Sequence, residues 1–166
     1  MPVRSRPRRT SDWQTCGTDF GDGYDLAVLL FGELSVFPPA ERRSILDKVR
    51  TALVEGGQLV VEVHRAEPMR RAAEGGRTWS FRNGGLFDEG PHLVLEQAHW
   101  WEQESAAAFR TLVATSDDLL EFRQAVAAQT KETWVREIER AGFQEAGSGP
   151  QFGPGEEFDV LLFTTR

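Results

Sequence analysis

ALVEGGQLVVEVH, residues 52–64, decides how this chain is read. It has the form of a helix end, a glycine stop and a strand buried on both faces. Upstream, FPPAERRSILDKVRTALVEGG (37–57) puts two prolines where a helix can start. Ile45, Leu46, Val49 and Leu53 then form one apolar stripe, and Arg42, Arg43, Asp47 and Arg50 are assigned to the wet side. Gly56 and Gly57 are read as the left-handed helix cap, with QLVVEV (58–63) as the strand that follows. Before the helix, YDLAVLLF (24–31) is a nearly continuous apolar run, the mark of a second doubly buried strand. Strand, helix, strand of this size is a βαβ unit, so the two strands are predicted to be parallel.

Beyond His64 the pattern changes. EPMRRAAEGG (67–76) predicts a short helix closed by glycines. From Thr78 to about Thr130 the chain reads as antiparallel strands, with HLVLEQAHWWEQ and AAAFRTLVATS joined by a polar turn. LLEFRQAVAAQ (119–129) fits helix or strand by periodicity, and its neighbours favour strand. TKETWVREIERAGF (130–143) predicts a helix capped by Thr130 and stopped by Gly142, and FDVLLFTTR (158–166) is a final strand.

Composition narrows the function classes. Of 19 Lys and Arg, four lie in the opening MPVRSRPRR, against 26 Asp and Glu, so the net charge of −7 understates the acidity of the body. Such a body repels phosphates and argues against a broad nucleic-acid face. Residues 1–23 are expected to be a disordered basic tail and turn. No apolar run reaches the ~20 residues of a membrane span. A single cysteine, Cys16, excludes an internal disulfide or thiolate cluster, and His64, His92 and His99 lack metal-ligand spacing. A reducing, cytoplasmic setting is the expectation. GxSxG, phosphate-loop and HExxH motifs do not occur.

The order of the pieces carries a resemblance. GYDLAVLLFGELSVF, ALVEGGQLVVEVH, IERAGFQEAG and FDVLLFTTR, taken together, resemble the C-terminal half of a class I S-adenosylmethionine-dependent methyltransferase. The resemblance covers roughly residues 19–166. It implies an α/β fold: an incomplete Rossmann-like sheet with parallel strands 4 and 5, closing antiparallel strands, and an antiparallel β insert at about 78–129. The domain itself is expected over 24–166.

Members of that family begin with a strand and a GxGxG turn for the cofactor, and an acidic residue after the second strand holds the ribose. This sequence has neither; DFGDG (19–23) follows no strand and reads as a turn into Tyr24. The beginning of the fold is therefore expected to lie outside this chain. Strand 24–31 then becomes a sheet edge, and exposing about three large apolar side chains costs roughly 5–9 kcal/mol. A homodimer or a partner chain is expected to cover it; a truncated reading frame is the other possibility.

By resemblance, Phe31 and Gly32 lie beside the transferable methyl group of S-adenosylmethionine. Glu33 is positioned to orient a small-molecule acceptor. The alternative is a tight turn with a solvated glutamate. Glu62 and His64 share a strand face, so His64 is a candidate base for an O- or N-methyl acceptor, or else simply a hydrogen-bonded strand-end histidine. Trp79, Phe81, Trp100 and Trp101 mark the insert. Trp79 and Trp101 are candidate substrate contacts, against the alternative of core packing, and Trp100 must point away from Trp101. Asp12 is an adenine-contacting candidate. Two functions remain open: methyl transfer to a small molecule once the fold is completed, and a non-catalytic interaction subunit.

Overall fold

The computed structural model describes residues 20–148 and 157–165; Asp12 and the expected tail over residues 1–19 lie outside them. In chain order the elements are β1 (Tyr24–Leu29), a 3-10 turn (Glu33–Val36), α1 (Pro39–Ala52), β2 (Leu53–His64) and α2 (Ala66–Glu74). Then come β3 (Arg77–Arg82), β4 (His92–Trp101), β5 (Ala106–Ala114) and β6 (Leu119–Ala127). The chain closes with α3 (Lys131–Arg140), β7 (Phe143–Ser148) and β8 (Phe158–Thr165).

Two four-stranded sheets result. The first has the order β1-β2-β8-β7. Its β1 and β2 are parallel, as a βαβ crossover requires, and β8 then runs antiparallel to both β2 and β7. The second is an antiparallel meander, β3-β4-β5-β6, holding the strands expected from residue 78 onward. Residues 119–127 are strand, because a full ladder from Ala106↔Ala127 to Ala114↔Leu119 overrides the ambiguous periodicity.

The main core lies on one face of the first sheet. Leu59, Val61, Val63, Leu161 and Phe163 meet Ile45, Leu46 and Val49 of α1 and Trp134 and Ile138 of α3. The alternation of β2 makes this possible, since odd-numbered residues share that face and Val60, Glu62 and His64 point away. Thr130 caps α3 by accepting from the Thr133 amide, and Gly142 leaves the helix at φ +94°.

Three expectations are corrected. Gly56 and Gly57 do not cap α1. The helix ends at Ala52, and Leu53 is already extended and buried, its amide still donating to the Val49 carbonyl. The glycines instead form a bulge inside β2, where pairing jumps from Tyr24↔Leu53 to Leu26↔Gln58. Gly56 takes φ +74°, and a Cβ on Gly57 would come 2.8 Å from the Val54 carbonyl oxygen. Arg42 is not on the wet side. It is 3% exposed and forms a two-pronged pair with Glu137 of α3 at 2.6 and 3.1 Å. Its third bond goes to the Phe37 carbonyl, and its guanidinium lies over the Trp134 ring. Finally, β1 is buried on one face only. Ala27 and Leu29 pack on the core, while Tyr24, Leu26 and Val28 are 52%, 50% and 45% exposed.

Candidate functional site

At the carboxyl end of β1 the backbone turns abruptly. Phe31 (φ +55°) and Gly32 (φ +66°) are both left-handed, followed directly by the 3-10 turn. A bulky residue in that region is strained and persists only where its surroundings hold it. Here the holding group is Glu62. Its carboxylate, in a residue only 4% exposed, accepts from the Phe31 amide at 2.6 Å. Such a charge-assisted bond satisfies a backbone donor and an acid that would otherwise be costly to bury. The Glu33 amide donates to the Leu30 carbonyl at 3.1 Å, and the Ser35 amide to that of Gly32 at 2.8 Å.

Gly32 is required for a second reason. A Cβ there would lie 2.5 Å from both Cδ2 and Nε2 of His64. The imidazole thus packs directly on the Gly32 backbone and tilts onto the Phe158 ring at 4.5 Å between centroids, a ring that itself comes within 3.1 Å of the same Cβ position. Phe158 faces His64 in the β2–β8 ladder, and Arg65 ties the same corner by an ion pair to Asp159 at 3.6 Å. His64 is half-buried. Burial lowers its pKa below the usual imidazole value, with the Glu157 and Glu62 carboxylates pulling the other way. Near neutral pH the ring is uncharged and able to accept a proton.

Phe31, Gly32, Glu33, Glu62 and His64 all lie at the carboxyl end of the parallel pair. In open α/β sheets this is where ligands bind. Phe31, 80% exposed, and Glu33, exposed, present themselves to solvent at the turn. The carboxylates acting on His64 are Glu157 and Glu62. Glu157 was missed; its only signal was its place just before a last strand that pairs with β2. Glu62 was noted as a neighbour of His64, but its bond to Phe31 depends on the loop folding back.

Trp79 and Trp101 do share one face of the second sheet, since Trp79 pairs with Leu95 and Trp101 lies six residues further along β4. That separation is about 20 Å, so one small molecule does not touch both. Trp101 is in the row of Ala106 and Ala127, at the end that adjoins the core, whereas Trp79 is at the far end. Trp100 points to the other face, beneath the Arg70 guanidinium of α2.

Beside the open edge of β1, Phe20, Tyr24, Leu26, Val28, Val49 and Leu53 line an apolar groove of about 280 Å³. A larger depression, about 420 Å³, runs along the flank of α1 between Arg43, Asp47 and Lys48, but it is an open polar helix surface away from the strand ends. Among the described residues no group of three or more His, Cys, Asp or Glu is placed to hold a metal ion. No described helix is long and apolar enough to cross a membrane.

No protein-family model and no curated protein matches the sequence. Solved structures do. A S-adenosylmethionine-dependent methyltransferase from Clostridium acetobutylicum superposes on 90% of this chain and 61% of its own, with TM-score 0.65 and 8% identity. The sugar N-methyltransferase KedS8 from Streptoalloteichus matches over 90% of this chain and 59% of its own, with TM-score 0.60 and 17% identity. CalS10, an amino pentose methyltransferase from Micromonospora echinaspora solved with S-adenosylmethionine bound, gives 90%, 61%, 0.53 and 19%. The chain has the α/β fold of class I S-adenosylmethionine-dependent methyltransferases, and it spans about three-fifths of the length of these structures.

Proposed function

We propose that this chain is the acceptor-side part of a S-adenosylmethionine-dependent methyltransferase acting on a small molecule with an amine or hydroxyl group. The observation that carries the reading is the Phe31–Gly32 turn, left-handed twice over and held by Glu62 at the carboxyl end of a parallel strand. The likeness to KedS8 and CalS10, a sugar N-methyltransferase and an amino pentose methyltransferase, favours an amine acceptor.

The residues around this turn fit one wall of a cofactor site and not a whole one. The turn offers the exposed Phe31 ring and the exposed Glu33. Among the described residues no glycine-rich loop follows a strand and no carboxylate is placed for a ribose, so these residues alone hold the cofactor only weakly. The open edge of β1, its exposed Leu26 and Val28, and the apolar groove beside them are where a further segment docks, from a partner chain or a second copy. Within the completed site His64 accepts the proton that the acceptor loses, and Glu33 orients the acceptor by a hydrogen bond. Trp101, at the near end of the second sheet, is the aromatic wall. Trp79 lies too far away to share that task.

The second reading is a non-catalytic subunit of the same fold, favoured by the incomplete cofactor wall. Release of S-adenosylhomocysteine from S-adenosylmethionine, with amino sugars and simple amines as acceptors, separates the two. Turnover that falls about 100-fold or more in His64→Ala supports the catalytic reading, the scale at which a general base contributes. Binding of S-adenosylhomocysteine without any turnover supports the subunit. A folded chain that neither binds nor turns over overturns the first reading.

A further inference from the structure

One buried carboxylate stands between the two parts of the site. Glu62 and His64 are two residues apart on one face of β2, so their side chains start about 7 Å from each other. The ladder is regular through both, with Glu62 opposite Val160 and His64 opposite Phe158. Glu62 is 4% exposed, and its Oε2 accepts from the Phe31 amide at 2.6 Å. Phe31 (φ +55°) is a bulky residue in a left-handed conformation, which holds only while its surroundings impose it. Gly32, left-handed as well, lies under the imidazole. Each half of the turn therefore leans on a different group, and both groups project from β2.

We propose that Glu62 is a positioning residue that ties the Phe31–Gly32 turn to the charge on His64, so that the turn is held while the imidazole is neutral and slackens once it takes a proton. Two effects act in the same direction. The Cδ2–Nε2 edge of the ring faces Gly32, and Phe158 approaches the same spot at 3.1 Å. This seat suits a neutral imidazole, whereas an imidazolium carries an N–H at both nitrogens and loses hydration there. The charged ring is drawn out of its seat, toward Glu62 and water. The second effect is the carboxylate's own. Its bond to Phe31 is strong because the acceptor is charged. A cation two residues along the strand competes for that charge, and the Phe31 amide is left with a weaker acceptor.

Other charged groups surround the ring. Burial holds the His64 pKa below the ordinary imidazole value, against the pull of Glu157, just before β8, and of Glu62. Arg65 and Asp159 pair with each other at 3.6 Å, and Glu33 is exposed on the turn itself. Of these carboxylates Glu62 is the one that accepts from Phe31. For methyl transfer the order is useful. His64 gains its proton only as the acceptor is methylated, so the wall is firm before transfer and slack after it. That use rests on the methyltransferase reading proposed above; the link between His64 and Phe31 does not.

Backbone and histidine-ring NMR of the labelled 166-residue chain between pH 8 and 5, with no cofactor added, tests the link. The Phe31 amide is expected to titrate with the same midpoint as the His64 ring, below the ordinary imidazole value. In acid it should lose the downfield shift its bond confers, and its shift should become more sensitive to temperature, as for an amide losing an acceptor. His64→Gln should abolish the transition at Phe31 and leave that amide downfield throughout. Glu62→Gln keeps an acceptor oxygen without the charge, so the ring should still titrate while Phe31 stays nearly still. Glu157→Gln should lower the midpoint of ring and amide together. A Phe31 amide that stays fixed while the wild-type ring titrates overturns the proposal. So does one that still titrates in His64→Gln, or that follows the ring undiminished in Glu62→Gln, which would mark a field effect of the charge alone. The wild-type and His64→Gln arms decide the matter if Glu62→Gln does not fold. Failure of methyl transfer leaves all of these outcomes unchanged.

Discussion

At the residue scale the site turns on contacts among Phe31, Gly32, Glu62 and His64. Gly32→Ala adds a methyl group that meets His64 at 2.5 Å in a left-handed backbone. It is expected to cost about 2–4 kcal/mol, combining the left-handed penalty with overpacking. Removing the ring lifts only the second part, so Gly32→Ala with His64→Ala should be less destabilised than the two singles sum to. Urea unfolding of all four proteins reads this coupling. Glu62→Ala orphans the Phe31 amide and should cost about 1–3 kcal/mol. His64 adds a pH dependence whose sign follows from its lowered pKa. The folded protein disfavours the proton that the unfolded chain accepts near pH 6.5, so stability is full above that value and declines as pH falls below it. In His64→Gln the decline between pH 7 and 5 should be shallower. The sequence named Gly32 and His64, because glycine at a strand end and histidine two residues after an acid are local patterns. It did not show Glu62 holding a backbone amide 31 positions away.

At the element scale, the fold is legible in the sequence where local chemistry is decisive and hidden where tertiary packing overrides it. Thr130 and Gly142 mark the ends of α3 by capping geometry alone, and the two parallel strands follow from their apolar runs. Gly56–Gly57 was misread because a glycine pair after an apolar stripe serves a helix stop and a strand bulge equally well; the choice lies in whether Leu53 is pulled into the core. Arg42 was misread because helical periodicity treats every arginine as solvent-facing, whereas this one meets a carboxylate on α3. Glu137→Ala leaves that guanidinium buried without its carboxylate and is expected to cost about 3–5 kcal/mol in thermal or urea unfolding. Arg42→Met with Glu137→Leu, replacing both charges by apolar groups, should recover most of the loss.

At the scale of the whole molecule, β1 is the open border of a sheet whose neighbouring elements are all described on one side. Leu26 and Val28 are half-exposed, so Leu26→Lys or Val28→Lys should change the stability of the isolated chain by no more than about 0.5 kcal/mol. Leu29→Ala, on the core face, should cost markedly more. The sequence announced this edge only through the resemblance and the missing glycine-rich turn, since an apolar run cannot say which of its faces lacks a cover.

The most direct test of the central claim is a titration of S-adenosylhomocysteine into the isotopically labelled 166-residue chain, followed by backbone NMR. Shifts are expected to concentrate at the amides of Phe31, Gly32 and Glu33 and at the His64 ring, with a dissociation constant on the order of millimolar for this incomplete wall. Shifts elsewhere with those groups silent, or none at saturating ligand, would contradict it and remove the β1 turn as the cofactor-facing site.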